Sequence, residues 1–212
     1  MHMDYDKLLD SMHSGLSSMS YIDIFPLLEL DDYYRTDSHW KQEELTDTAD
    51  TLLTAMGAEK LPDHEVITAT EEFYGVYAGQ YALPVKAEKI RCLRNEATDK
   101  FTVFDHENGK EIPLYDMEAA LGEDPYELFT GGPLSIVTIE NPSAKTDKEL
   151  IVFRDSFGSS IAPLLAESYS KVTLVDIRYI RSDLLGEFVE FGDSDVLFLY
   201  SSSVLNSSGT MK

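Results

Sequence analysis

The chain is poor in cysteine, in positive charge and in long apolar runs. Cys92 is the one cysteine among 212 residues, so no intrachain disulfide forms and no cysteine-based zinc site exists. That suits a reduced compartment, and equally the extracellular bacterial proteins that use no disulfides. Lys plus Arg number 17 against 39 Asp plus Glu, a formal net charge of -22. So acidic a surface repels phosphate backbones and anionic headgroups, which argues against non-specific binding to nucleic acid or membrane while leaving room for a local basic pocket. No run of about 18 apolar residues occurs, so no membrane-spanning helix is expected. Gly131-Gly132 is too short for a phosphate-binding loop. The start, Met1-His2-Met3, lacks the basic-then-apolar order of a signal peptide and reads as a scar ahead of an excised domain.

With 43% hydrophobic and 26% charged residues, the chain can bury one sizeable core, and a single domain over 4–212 is expected. Leu8, Leu9, Met12 and Leu16 stand at helical spacing and predict a helix ending near Gly15. Residues 21–25 read as a short strand stopped by Pro26, and 31–40 as a polar, aromatic loop. Leu45, Ala49, Leu52, Leu53 and Met56 line one face of a helix over 42–56, closed by Gly57. A β-rich insertion is expected over 62–115, with strands at 72–78, 88–94 and 100–104 and a hairpin turn at Glu107-Asn108-Gly109. A short helix and loop follow over 115–129, then a strand at 135–139. The last third alternates: strands 149–153, 172–177 and 195–200, with helices near 159–168 and 181–188. These strands are continuous apolar runs, the pattern of parallel strands covered on both faces. The expected class is α/β, three-layer α/β/α with a mostly parallel sheet.

Ser156 lies directly after an apolar strand and before a helix. Ligands of open parallel sheets bind outside the carboxyl ends of strands, and a serine there gains backbone N–H groups able to stabilise an oxyanion. The same placement suits a mere helix cap by Ser156 or Asp155. In Asp37-Ser38-His39-Trp40, an acid and an imidazole two residues apart point the same way if the loop is extended. His39 would then take a proton from a serine while Asp37 orients it. A structural histidine is the plain alternative, and a divalent-metal site of Asp31, Asp32, Asp37 and His39 the remote one. Arg178 follows the second late strand at the same sheet edge, where it would hold a carboxylate or acyl oxygen, or simply pair with Asp155 or Asp176.

Five segments taken together, TDSHW (36–40), DPYELFTGG (124–132), IVFRDSFGSS (151–160), LLAESYSKVTLVDIRYI (164–180) and DVLFLYSSSVLN (195–206), resemble the bacterial DHHW proteins. That family is related to the SGNH-hydrolase-like domains of the alginate O-acetylation proteins AlgJ and AlgX. The resemblance covers about residues 18–206. It implies an SGNH-like fold with Ser156 as nucleophile, His39 as base and Asp37 as acid, in an order reversed from ordinary SGNH hydrolases. It departs from the family at Ser38, where the family has histidine, and at Arg154, where glycine is usual and a bulky cation would fill or recharge the pocket. The oxyanion donors would be Ser156 with Gly131, Gly132 and Asn206 as candidates. Substrate contacts would come from Arg178, Trp40, Tyr126 and Arg154.

The resemblance implies serine-dependent O-acetyl transfer to, or hydrolysis from, a cell-surface polysaccharide, with no metal or organic cofactor. The partners would be the glycan, an acyl donor and a membrane-anchored acetylation protein. Such domains sit outside the cytoplasmic membrane, here anchored through an N-terminal segment not included in this sequence. The alternative from another class is a non-catalytic carbohydrate-binding or envelope-assembly module on a retired hydrolase fold. It would stack sugars on Tyr33, Tyr34, Trp40 and Tyr126, with Ser156 blocked by Arg154.

Overall fold

The computed structural model describes residues 4–82, 84–207 and 209; Met1-His2-Met3 and the end of the serine-rich tail lie outside them. Helix α1 (Tyr5–Gly15) starts where Asp4 accepts a hydrogen bond from the Lys7 N–H, and it half-buries Leu8, Leu9 and Met12. The expected strand at 21–25 does not form. Ile24 has helical backbone angles, and Pro26 opens a 3₁₀ turn over Phe25–Leu27, so Ile22 and Ile24 reach the core from irregular chain. Helix α2 (Thr46–Ala55) follows a 3₁₀ turn at Gln42–Glu44 and buries Ala49, Leu52 and Leu53. Gly57 ends it at φ +68, with Gly57 N–H bonded to Thr54 O and Ala58 N–H to Leu53 O, a paired C-terminal closure that needs a residue in the left-handed region.

The 62–115 stretch contributes to two sheets. Strand β1 (Glu65–Phe73) pairs antiparallel with β2 (Glu88–Arg94), joined through helix α3 (Val76–Tyr81). The strand expected at 72–78 therefore sits earlier, because Gly75 turns the chain into α3. Strands β3 (Thr102–Asp105) and β4 (Lys110–Ile112) form the expected hairpin, held by Asp105 accepting the N–H groups of Glu107 and Asn108, with Gly109 at φ +64. This hairpin extends the main sheet, where β3 pairs with β5 (Ile136–Glu140). The sheet continues through β7 (Lys171–Val175), β6 (Glu149–Arg154) and β8 (Asp195–Leu199), in the order β4-β3-β5-β7-β6-β8.

The three late strands are parallel, as their apolar runs predict. The sheet as a whole is mixed, with β4, β3 and β5 all antiparallel to their neighbours. The mostly parallel sheet is thus corrected. Strand β5 is as apolar as β6, and burial on both faces does not distinguish the two directions.

Side chains alternate between two cores. Val137, Ile139, Leu150, Val152, Val172 and Leu174 face α2 and helix α4 (Phe157–Leu165). Ile136, Ile151, Phe153 and Val175 face the other way, against Leu185 and Val189. The cover there is a 3₁₀ turn at Ser182–Glu187 in place of the expected helix, and Val196 and Phe198 of β8 stay exposed. A third cluster, built from Tyr34, Phe73, Ile90, Cys92, Tyr126 and Phe129, joins the β1–β2 pair to the loop at 33–40. No helix among the described residues is long and apolar enough to cross a membrane.

This layering predicts unequal costs for equal truncations. Leu174→Ala, in the fully buried core, should lower the free energy of urea unfolding by about 3 kcal/mol, whereas Val196→Ala on the open face should cost less than about 1 kcal/mol.

Candidate active site

Strand β6 ends at Arg154, and the chain turns through Asp155 and Ser156 into α4. Asp155 performs the capping. Its Oδ1 accepts the Phe157 N–H at 3.0 Å, and its Oδ2 accepts the Ser201 N–H at 2.7 Å, tying the turn to the start of helix α5 (Ser202–Asn206). Ser156 occupies the N-cap position without using its side chain there. Its hydroxyl donates instead to His39 Nε2 at 2.8 Å. The Phe157 and Gly158 N–H groups are committed to Asp155, and that of Ser159 to Ser156 O. Ser156's own N–H is the remaining donor of the turn, at the positive end of α4.

The loop at 33–40 is a tight hairpin, closed by a bridge between Tyr33 and Trp40 and by Tyr34 N–H donating to His39 O. Within it, Asp37 Oδ1 accepts from His39 Nδ1 at 2.6 Å and from the His39 backbone N–H at 3.0 Å. Asp37 Oδ2 accepts the Val76 N–H at 3.0 Å. Burial pushes the Asp37 carboxyl up, but the hydrogen bonds from the His39 ring, the Val76 N–H and the His39 N–H outweigh it, and its pKa lies below the ordinary 3.8. The imidazole so oriented lies over the Tyr126 ring, centroids 3.9 Å apart and nearly parallel, with Phe157 tilted against it at 5.1 Å.

The supports of this arrangement are buried and come from distant chain. Ser160 Oγ accepts from the Trp40 indole N–H at 2.8 Å and the Tyr126 hydroxyl at 2.9 Å. Gln42 bridges helix α4 and strand β2, donating to Ser160 O at 2.6 Å and accepting from the Leu93 N–H at 2.7 Å. Glu88 accepts from the Arg35 N–H, the Thr36 N–H and the Thr36 hydroxyl. Gly75 packs so tightly on this loop that an added Cβ would fall 2.4 Å from both Asp37 Cβ and Thr36 O. Sequence reading passed over Gly75, Gln42, Glu88 and Ser160. The local signal that marks Gly75 is its place just past the end of a strand, where a glycine permits close backbone approach.

The other expected site residues stand outside the Ser156–His39–Asp37 relay. Trp40 and Tyr126 are 4% and 6% exposed, so they shape the site from beneath and offer no stacking face to a sugar; the same burial removes Tyr34. Arg154 is fully buried under α4, with Gly158 pressed against its side chain. Its guanidinium donates to Ser159 Oγ at 3.0 Å and faces Asp176 at 4.0 Å, so it neither covers Ser156 nor recharges a pocket. Burial disfavours its charge, and Asp176 opposes that effect. Arg178 grips the same Asp176 through Nε at 2.9 Å and Nη2 at 2.6 Å, the ion pair foreseen as its plain role. Gly131 packs on Ile112 and Leu134, Gly132 on Glu127, and Asn206 is exposed at the end of α5. Asp32 caps its own turn through the Glu29 N–H, and among the described residues no cluster of His, Cys, Asp and Glu could hold a metal ion.

No protein-family model and no curated protein matches the chain. Solved structures do. A DHHW family protein from Eubacterium siraeum superposes with a TM-score of 0.71 at 20% identity, over 99% of this chain and 77% of that one. Two structures of Bacillus cereus PatB1, one with a sulfonyl adduct, superpose with a TM-score of 0.65 at 20% and 23% identity. Each covers 82% of this chain, which spans 62% and 64% of theirs, less than two thirds.

The lowered pKa of Asp37 has a signed consequence. A carboxyl whose native value lies below its unfolded value stabilises the fold fully above the unfolded value, and that contribution is lost as pH falls through the native one. In urea unfolding, wild type should exceed Asp37→Asn in stability at neutral pH, and the gap should narrow as pH drops below 3.8. The chain has the α/β fold of the DHHW family protein and of PatB1, with the strand-end serine, the imidazole and the acid drawn together in it.

Proposed function

We propose that this protein is a serine-dependent O-acyl transferase or esterase acting on cell-surface polysaccharide. The observation that carries the reading is the continuous relay from Ser156 Oγ to His39 Nε2 at 2.8 Å and from His39 Nδ1 to Asp37 at 2.6 Å. The acid fixes the tautomer, which leaves Nε2 free to accept the serine proton. The chemistry follows in two balanced steps. Ser156 Oγ attacks the carbonyl of an acyl donor, its proton passes to His39, and the oxyanion gains the Ser156 N–H. His39 returns that proton to the leaving oxygen as the donor's bond breaks. A glycan hydroxyl, or water, then gives its proton to His39 and attacks the acyl-serine, and His39 reprotonates Ser156 as the acyl group leaves.

Two features favour this reading over the non-catalytic module. Arg154 is buried with its guanidinium bonded to Ser159 Oγ, and the aromatics assigned to sugar stacking in that alternative include the buried Tyr34, Trp40 and Tyr126. The reading includes an extracytoplasmic setting, an acyl donor and a membrane-anchored partner, and likeness to the DHHW family protein supports the fold on which it stands. Nothing in the reaction calls for a metal or an organic cofactor.

The adduct on PatB1 suggests the matching experiment. Wild-type protein treated with an activated acetyl ester, or with an aryl sulfonyl fluoride, should gain one acyl or sulfonyl group by intact mass, mapped to Ser156. Ser156→Ala should gain none, and His39→Ala should be labelled at least about a thousandfold more slowly. Equal labelling of wild type and Ser156→Ala would defeat the reading.

A further inference from the structure

The acceptor must lie beside Ser156, yet the aromatics first assigned to it are buried. A different set is exposed next to the catalytic acid. Helix α3 begins one hydrogen bond from the Asp37 carboxylate, through the Val76 N–H, and the next N–H, of Tyr77, is bonded to Thr36 O at 2.9 Å. This helix buries no residue, and around it Tyr74, Tyr77 and Tyr81 are 57%, 38% and 66% exposed. Tyr77 and Tyr81 are one turn apart on the same side, ring centroids 6.5 Å apart and tilted by 40°. Exposed aromatic rings at the edge of an active site are the surface on which the apolar C–H face of a sugar ring stacks, while phenolic hydroxyls reach its polar rim.

We propose that Tyr74, Tyr77 and Tyr81 form the acceptor subsite and that it takes a neutral glycan. Neutrality follows from charge. The chain carries -22 overall, residues 74–81 contain no Lys or Arg, and on the neighbouring segments Arg35 leans on Glu88 at 3.5 Å while Lys89 pairs with Glu71. An anionic polymer therefore meets repulsion without a free counter-charge in the strip. The fixed backbone links from α3 to this loop, Val76 N–H to Asp37 and Tyr77 N–H to Thr36 O, tie the strip to the reactive centre. The assignment of this strip to the acceptor rests on the acyl-transfer reading; the binding itself does not.

The test uses Ser156→Ala protein, labelled with nitrogen-15 and unable to react. Chitopentaose and cellopentaose serve as neutral probes and an oligogalacturonate as the anionic one. At least one neutral probe should shift the amides of α3 and of the 33–40 loop, and the anionic one should bind more weakly. Adding Tyr77→Ala with Tyr81→Ala should weaken binding about tenfold or more, the paired Phe variants should stay within about threefold, and Tyr5→Ala should change nothing. Should the alanine pair fail to fold, saturation transfer from tyrosine ring protons to the sugar in the Ser156→Ala parent decides. Failure of both neutral probes to bind, shifts centred elsewhere, tighter binding of the anionic probe, or alanine variants that bind like their parent overturns the proposal. So does a strip whose loss affects only capture of a protein partner. Loss of acylation at Ser156 with glycan binding intact would instead count against the reaction and leave the subsite standing.

Discussion

The Asp37 carboxylate is the point on which the site depends. It joins three parts of the chain that sequence separates: its own hairpin loop, the start of α3, and through His39 the turn after β6. A carboxylate with so little exposure persists only if hydrogen-bond donors replace water, and here two backbone N–H groups and one ring N–H do so. The same bonds that keep it ionised fix the orientation of the imidazole. Ionisation of the acid, geometry of the base and placement of the β1–α3–β2 segment are therefore one structural fact.

Around that point buried contacts join the acid loop to the nucleophile's helix. The imidazole rests on Tyr126, whose hydroxyl meets the Trp40 indole at Ser160, one turn into the nucleophile's helix. Acid loop and nucleophile helix thus share a buried polar centre as well as the catalytic hydrogen bonds. Such a fully satisfied centre specifies one arrangement. Beneath the serine, Arg154 and Asp176 form a further buried charged pair, which Arg178 extends to the surface.

Much of this was legible in the chain. The continuous apolar runs of β6, β7 and β8 gave three parallel strands, and the serine just past the first of them marked the ligand-binding edge. The Asp-x-His spacing placed acid and base together. Other features have no local signature. The direction of β5 depends on how the β3–β4 hairpin returns to the sheet, and an apolar strand buried on both faces reads the same either way. Glu88, Gln42 and Gly75 act across about 40 to 120 positions, a range at which spacing carries no information. Arg154 misled because an arginine beside a nucleophile is normally solvent-facing, whereas Gly158 here leaves room for it to pass under the helix. Trp40 and Tyr126 misled in the opposite sense, since aromatic residues in a motif serve the floor of a site as readily as its binding face.

The central claim is that Ser156, His39 and Asp37 act as one unit. Non-additivity measures this most directly: the rate of activated acetyl ester hydrolysis in Ser156→Ala, His39→Ala and the double variant. Members of one relay fail together, so the double variant should be no slower than the worse single variant. If the two losses multiply, or if His39→Ala hydrolyses the ester at the wild-type rate, serine and histidine work independently and the account is wrong.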